Sequence, residues 1–370
     1  MLVDPLAIGA DPANLPPFTP VRLFTETELD TFLTTTLVVA AGLYLWGVRS
    51  LTARGIRWDP WRTVAWLAGG LGTIAFATMS GLGAYDDTLL SVHMVQHMVL
   101  SMISPMFLAL GAPVTLALRT LPLRDRRRFL AVLHSRVAKV LTFPAVGWFL
   151  FVGTPFALYY SPVYAASLRH DWLHELLHFH FILVGCLFLW PLVGLDPVPG
   201  RVGYPFRLLL LFAALPFHAI LGVSILGAHQ LIGGDYYPSL ALTWSNPVSD
   251  QKVAGGLLWG SGDIIGLLML ASVFVQWAAA SEREAVREDR RIDRLEAMQA
   301  AAAVRAAGPG GATARPAHGP GRPVEDRPPT LTSRPDSAGQ PAGGGARDAA
   351  GEAGDAVGEA VDDPVGDQAE

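Results

Sequence analysis

Long apolar runs alternate with short polar stretches over the first 280 residues, after which the chain turns polar and stays so. A run of about 20 apolar residues is long enough to cross the hydrocarbon of a bilayer. Seven such runs are legible, approximately Leu29–Val48, Thr63–Leu82, Thr88–Leu110, Val140–Tyr160, Trp172–Leu192, Arg207–Ala228 and Val253–Trp277. The pattern predicts an all-α, polytopic membrane bundle of about seven transmembrane helices, because helices satisfy their own backbone hydrogen bonds in lipid. It also divides the chain. Residues 1–28 form an N-terminal segment, 29–280 the membrane domain and 281–307 a Glu-, Arg- and Ala-rich juxtamembrane helix. Residues 308–370 are Gly-, Pro-, Ala- and Asp-rich, cannot bury a core, and read as a disordered tail. Between the third and fourth runs, Leu123–Val140 interleaves basic and apolar residues, as expected of a helix lying on the cytoplasmic leaflet.

Charge orients the bundle. Arg49, Arg54, Arg57 and Arg62 follow the first run, and Arg119, Arg124, Arg126, Arg127, Arg128, Arg136 and Lys139 follow the third. Arg201 and Arg207 follow the fifth, and Arg283, Arg287, Arg290, Arg291 and Arg294 follow the last. The alternate loops carry almost no positive charge: none around Tyr85-Asp86-Asp87, then Arg169, then Lys252. The positive-inside rule therefore predicts an N-terminus outside and a cytoplasmic C-terminus.

Composition adds little to this. The chain is 51% hydrophobic with mean hydropathy +0.36 despite its polar tail. One cysteine, Cys186, excludes an internal disulfide and a Cys-only metal site. Met1–Pro20 has no basic region followed by an apolar core, so no cleavable signal peptide is expected. The expected setting is the cell membrane, multi-pass, with lipid as a partner and no nucleic acid.

The candidate chemistry lies in the histidines. Of ten, six form two clusters: His93 with His97, and His170, His174, His178 and His180. Residues four apart share a helix face, so His93/His97 and His170/His174/His178 form rows. Imidazole is costly to bury in hydrocarbon and is a common metal ligand. With the predicted orientation, His93 and His97 lie about 7 and 13 Å below the outer face at 1.5 Å per residue, and His174 and His178 lie at similar depths. His218 sits about 16 Å below His229 on the sixth run. The expected metal ligands are His93, His97, His174, His178 and His218. Met94, Met98, Met102 and Met106 form a further row with spacing four, and Met94 and Met98 are level with the histidines. Thioether with imidazole suits Cu(I). Asp263, inside the seventh run, either supports a ligating histidine or pairs with another buried polar group, and Glu175 either supports one or is a solvated or paired group near the interface.

His174-Glu175-Leu176-Leu177-His178 also spells H-E-x-x-H, the zinc-protease pattern with Glu175 as base. Against it, the nearest acidic residue after this run is Asp196 at its cytoplasmic end, so no third ligand is expected on the same side, and His93 and His97 are left unexplained. A bis-histidine haem protein is a further alternative.

Several motifs in order resemble one family. They are His93-Met94-Val95-Gln96-His97, Leu141-Thr142-Phe143-Pro144, the stretch from His174 through Leu189-Trp190-Pro191-Leu192-Val193-Gly194-Leu195-Asp196-Pro197, Pro216-Phe217-His218-Ala219, and Asp250-Gln251 leading into Ala254-Gly255-Gly256-Leu257-Leu258-Trp259. Together they resemble the seven-span CtaG-type cytochrome c oxidase assembly factors of Gram-positive bacteria, over about Thr31 to Trp277. The resemblance implies a non-enzymatic role in maturing a haem–copper oxidase by supplying copper to it, with oxidase subunits as partners. A metal-free assembly scaffold is the alternative within that role.

Overall fold

The first long helix begins where Asp30 accepts a hydrogen bond from the Phe32 amide at 2.7 Å, and an acidic cap recurs at Asp59, which accepts from the Trp61 amide at 3.0 Å. The computed structural model describes residues 12–27, 30–193, 195–197, 199 and 202–306. Among them all regular structure is helical. Seven apolar helices are numbered here α1 (Thr31–Ala53), α2 (Pro60–Tyr85), α3 (Leu90–Thr120), α4 (Pro144–Tyr159), α5 (Asp171–Val193), α6 (Tyr204–Leu226) and α7 (Pro247–Ala306). Six are long and apolar enough to cross a membrane; α4, with 16 residues, is shorter. At 1.5 Å per residue it reaches about 24 Å against a hydrocarbon thickness of about 30 Å.

The outward surface of these helices is apolar: Leu43, Phe149, Phe179, Phe212, Ile264, Leu268 and Val275 are all more than half exposed. So large an apolar belt on a folded chain is a surface meant for lipid. Inside, Phe151 stacks on Phe188 with centroids 4.8 Å apart, in one core with Met94, Met98, Met102 and Leu221.

Two of the helices are not regular. Ala65–Leu71 in α2 and Val99–Ile103 in α3 are π turns. The second faces Gly185 of α5, where a Cβ would stand 2.2 Å from the Ser101 carbonyl oxygen. α3 breaks again at Ala112, which adopts φ 49°, before Pro113–Thr120. Buried Asp196, just past α5, fastens this last piece. It accepts from the Val114 and Thr115 amides at 3.2 and 2.8 Å, from the Thr115 hydroxyl at 2.6 Å and from Trp190 Nε1 at 3.0 Å. α6 and α7 cross through glycine: a Cβ on Gly222 would meet the Gly255 carbonyl oxygen at 2.8 Å, and one on Gly255 would meet the Gly222 oxygen at 2.7 Å.

The stretch Leu123–Val140 forms two short exposed helices, Leu123–Leu133 and Arg136–Leu141, separated by Ser135, which caps the second. The expected juxtamembrane helix is continuous with the last apolar helix, since α7 runs unbroken to Ala306. The predicted tail, 308–370, and residues 1–11 lie outside the described residues. At the other end of the bundle, Leu15 and Phe18 pack with Leu82, Tyr85, Leu89 and Val92, and Trp244 Nε1 donates to the Leu15 carbonyl at 3.1 Å. Residues 12–27 thus close over the turn between α2 and α3.

Candidate metal centre

That turn carries the site. α2 ends at Tyr85, whose hydroxyl donates to the Pro16 carbonyl at 2.9 Å, and the Thr88 and Leu89 amides return to the Tyr85 carbonyl at 3.1 and 2.9 Å. The tight reversal directs Asp86 inward, where it is 5% exposed. Across from it on α5, His174 and His178 lie one turn apart with ring centroids at 4.7 Å. The Nε2 atoms of both stand 3.2 Å from Asp86 Oδ2.

One donor atom from each of Asp86, His174 and His178 lies within 4.8 Å of the others. A tetrahedral ion bonded at about 2.0–2.1 Å separates its ligands by about 3.3 Å. The observed 3.2 Å spacing therefore already matches the edge of such a polyhedron. His174 Nε2 donates to the carboxylate, while His178 Nε2, equally near it, has the Gln96 Oε1 at 2.9 Å as its acceptor. Burial alone would raise the Asp86 carboxyl, but the His174 and His178 imidazoles facing it outweigh burial and bring it below the usual carboxylate range.

Gln96 of α3 completes the setting. Its Nε2 donates to the Ala77 carbonyl at 3.2 Å and to Asp86, and its Oε1 lies 2.9 Å from His178 Nε2. On the other side of the His178 ring, Nδ1 is 3.7 Å from Glu175 Oε2, and Glu175 is half exposed. His93, buried at 1% exposure, presents its ring to His174 with centroids 5.7 Å apart and to Tyr164 at 5.1 Å. Neither of its ring nitrogens has a hydrogen-bond partner.

The remaining expected ligands stand elsewhere. His97 turns to Tyr159, with Nδ1 2.8 Å from the hydroxyl, and stacks on Phe181 at 4.0 Å. His218 stacks on Phe151 at 5.7 Å and touches Gly262. Met94 and Met98 pack in the apolar core. Asp263 has a buried Oδ1 with no partner, so it supports no ligating histidine through that atom. The histidines expected to share one layer are therefore divided between an outer group around Asp86 and rings turned into the aromatic interior. Asp86 also corrects the expectation that H-E-x-x-H lacks a third ligand on its own side. It supplies one, from the turn before α3 rather than from the end of α5.

Residues 42–280 match the model of the cytochrome c oxidase caa3 assembly factor family, Caa3_CtaG. The chain belongs to this family. It is 38% identical over 285 residues to protein Mb0105 of Mycobacterium bovis and to protein MT0111 of Mycobacterium tuberculosis, covering 75% of this chain and 43% of each relative. Protein ML1998 of Mycobacterium leprae is 36% identical over 281 residues, 74% of this chain and 42% of that one. The match thus spans less than half the length of these relatives. No solved structure matches.

In this Caa3_CtaG member, two residues of the site escape a reading of spacing. Asp86 sits in a polar turn, where acidic residues are ordinary. Gln96 hides inside the His93–His97 motif as a neutral spacer. The signal available in the sequence is the pair Asp86-Asp87 in a stretch with no Lys or Arg between Arg62 and Arg119.

Proposed function

We propose that this oxidase assembly factor carries a copper ion, bound by Asp86, His174 and His178 with His93 as an exchangeable fourth ligand, and hands it to a haem–copper oxidase subunit. The observation that carries the reading is the convergence of three buried donors, two imidazole Nε2 atoms each 3.2 Å from Asp86 Oδ2, beside an imidazole whose nitrogens have no partner. Two nitrogens and a carboxylate oxygen form a harder set than the thioether–imidazole pairing, so this centre suits Cu(II). Copper is cargo here. An ion held by a carboxylate from a turn and imidazoles from a helix leaves when the turn moves, which a carrier requires.

A route from outside is consistent with this. A cavity of about 230 Å³ is lined by Thr88, Tyr237 and Asp250. Tyr237 shares a 2.7 Å hydrogen bond with Tyr164, whose ring lies against His93. The proposal takes the bundle as seven spans with this end facing out, in the cell membrane.

The role is non-catalytic. Glu175 approaches His178 from Nδ1, whereas Asp86 approaches Nε2. A protease's general base has to face the ion's open position, and Glu175 stands behind a ligand ring. The deciding measurement is Cu(II) binding by the purified protein. A His174→Ala/His178→Ala variant is expected to lose it, and His97→Ala to retain it. Equal binding in the double variant and the unaltered chain would sink the assignment.

A further inference from the structure

A second group of donors lies deeper, where α6 and α7 meet α3. His218 of α6 is held there by the absence of side chains opposite: a Cβ on Gly262 would stand 2.6 Å from His218 Cδ2. On its other side the ring lies against Phe151. His218 Nε2 is buried and has no hydrogen-bond partner. Leaving such a nitrogen unpaired is unfavourable, so the arrangement asks for an occupant.

Space for one exists. A cavity of about 20 Å³ is lined by His218, Gly262, Met102 of α3 and Met269 of α7, with almost no other polar atom in its wall. Met98 reaches the same place, its Cε 3.4 Å from where a Gly262 Cβ would be. The volume fits one small particle. A buried water needs two to four polar partners, and here it finds a single nitrogen. A soft monovalent ion finds what it needs: one imidazole and up to three thioethers, carried on three helices.

We propose that His218, Met102 and Met269, with Met98 beside them, form a second metal site that takes Cu(I) and is separate from the Asp86 centre. The ion's identity rests on the copper reading above; the existence of a soft site does not. The two sites differ in donor class, hard nitrogen and oxygen outside and soft nitrogen and sulfur within. They would accordingly hold copper in different oxidation states. No electron transfer between them is implied, since neither site contains a reductant.

The test uses the full chain in detergent with Ag(I), a monovalent soft ion that is not readily oxidised or reduced, and with Cu(II) in parallel. Three proteins are compared: the unaltered chain, His174→Ala/His178→Ala, and Met102→Leu/Met269→Leu. Met-to-Leu exchange keeps volume and apolarity, so the variant is expected to fold. A His218→Gln variant provides a second lesion at the same site. Met102→Leu/Met269→Leu is expected to weaken Ag(I) at least tenfold and leave Cu(II) unchanged, while the histidine double variant does the reverse. Sulfur scattering around Ag(I) in X-ray absorption should be present in the unaltered chain and reduced after Met-to-Leu exchange, which leaves only Met98 at the site. Unchanged Ag(I) affinity in both the Met-to-Leu and His218→Gln variants, or loss of Ag(I) in the His174→Ala/His178→Ala variant, overturns the second site. Failure of the unaltered chain to bind Cu(II) would instead overturn the outer copper centre, with the Ag(I) result still deciding the inner one.

Discussion

Asp86 and Asp196 are buried carboxylates with opposite surroundings, and their contrast separates site from scaffold. Asp196 accepts hydrogen bonds from two amides, a hydroxyl and an indole, so every feature of its setting is spent on holding α3 to α5. Asp86 faces two imidazoles and an amide side chain, all exchangeable partners. Replacing Asp86 by Asn keeps the size and removes the charge. Cu(II) affinity is expected to fall tenfold or more, read by competition titration, since changes even in outer partners of metal ligands cost about 10–100-fold. Asp196→Ala strands its donors and removes a helix cap, so unfolding should come about 2–4 kcal/mol more easily while copper affinity holds. If Asp196→Ala lost copper and Asp86→Asn did not, the roles would be exchanged. The histidine rows were legible because a spacing of four survives in any helix. Asp86 was not, because nothing in the pair Asp86-Asp87 says which carboxylate a tight reversal will direct inward.

At the scale of elements, the departures from regular helix explain which predicted alignments fail. Spacing of four aligns Met94, Met98, Met102 and Met106 only while the helix stays α. The π turn at Val99–Ile103 widens the helix and shifts the phase beyond it. Met94, Met98 and Met102 still share one core, and of these Met102 lines the His218 cavity with Met98 beside it. Apolar patterning does not register such a turn, because apart from Ser101 its residues are apolar like those of the helix around it. The glycine crossing of α6 and α7 is likewise invisible to hydropathy. Gly222→Val or Gly255→Val would force the backbones apart, since an added Cβ would stand only 2.7–2.8 Å from the facing carbonyl oxygen, and a loss of about 1–3 kcal/mol is expected. Gly153→Ala, in α4 with nothing within 4 Å, is the matched control. It should be neutral or stabilising by up to about 1 kcal/mol, as glycine inside a helix is the less favourable residue. Thermal unfolding in detergent separates the cases, and equal midpoints for all three variants would count against a tight crossing.

For the molecule as a whole, the functional question reduces to which face of the bilayer the Asp86 centre opens on. The apolar runs specify helices, and six of them are long enough to cross, but a 16-residue α4 does not by itself declare whether it spans. Charge is then the arbiter: Arg124, Arg126, Arg127 and Arg128 are exposed on Leu123–Leu133, whereas the turn at Asp86 is covered by Leu15, Phe18 and Trp244 and carries no nearby excess of cations. The positive-inside rule predicts the arginine helix in the cytoplasm and the Asp86 turn outside. The exposed Ala131 and Thr243 report on the two ends, Thr243 through its neighbour Trp244, whose ring lies 6.4 Å from that of Tyr85. Single cysteines at Ala131 and Thr243, each in a Cys186→Ala background, can be treated in intact cells with a membrane-impermeant maleimide. Thr243→Cys should react and Ala131→Cys should react only after lysis. The reverse pattern would put the metal centre in the cytoplasm, and delivery of copper from the outer half of the membrane would fail with it. Labelling of both in intact cells would mean that the two ends share a face, which an even number of crossings between α3 and α7 requires and the alternation of charge forbids.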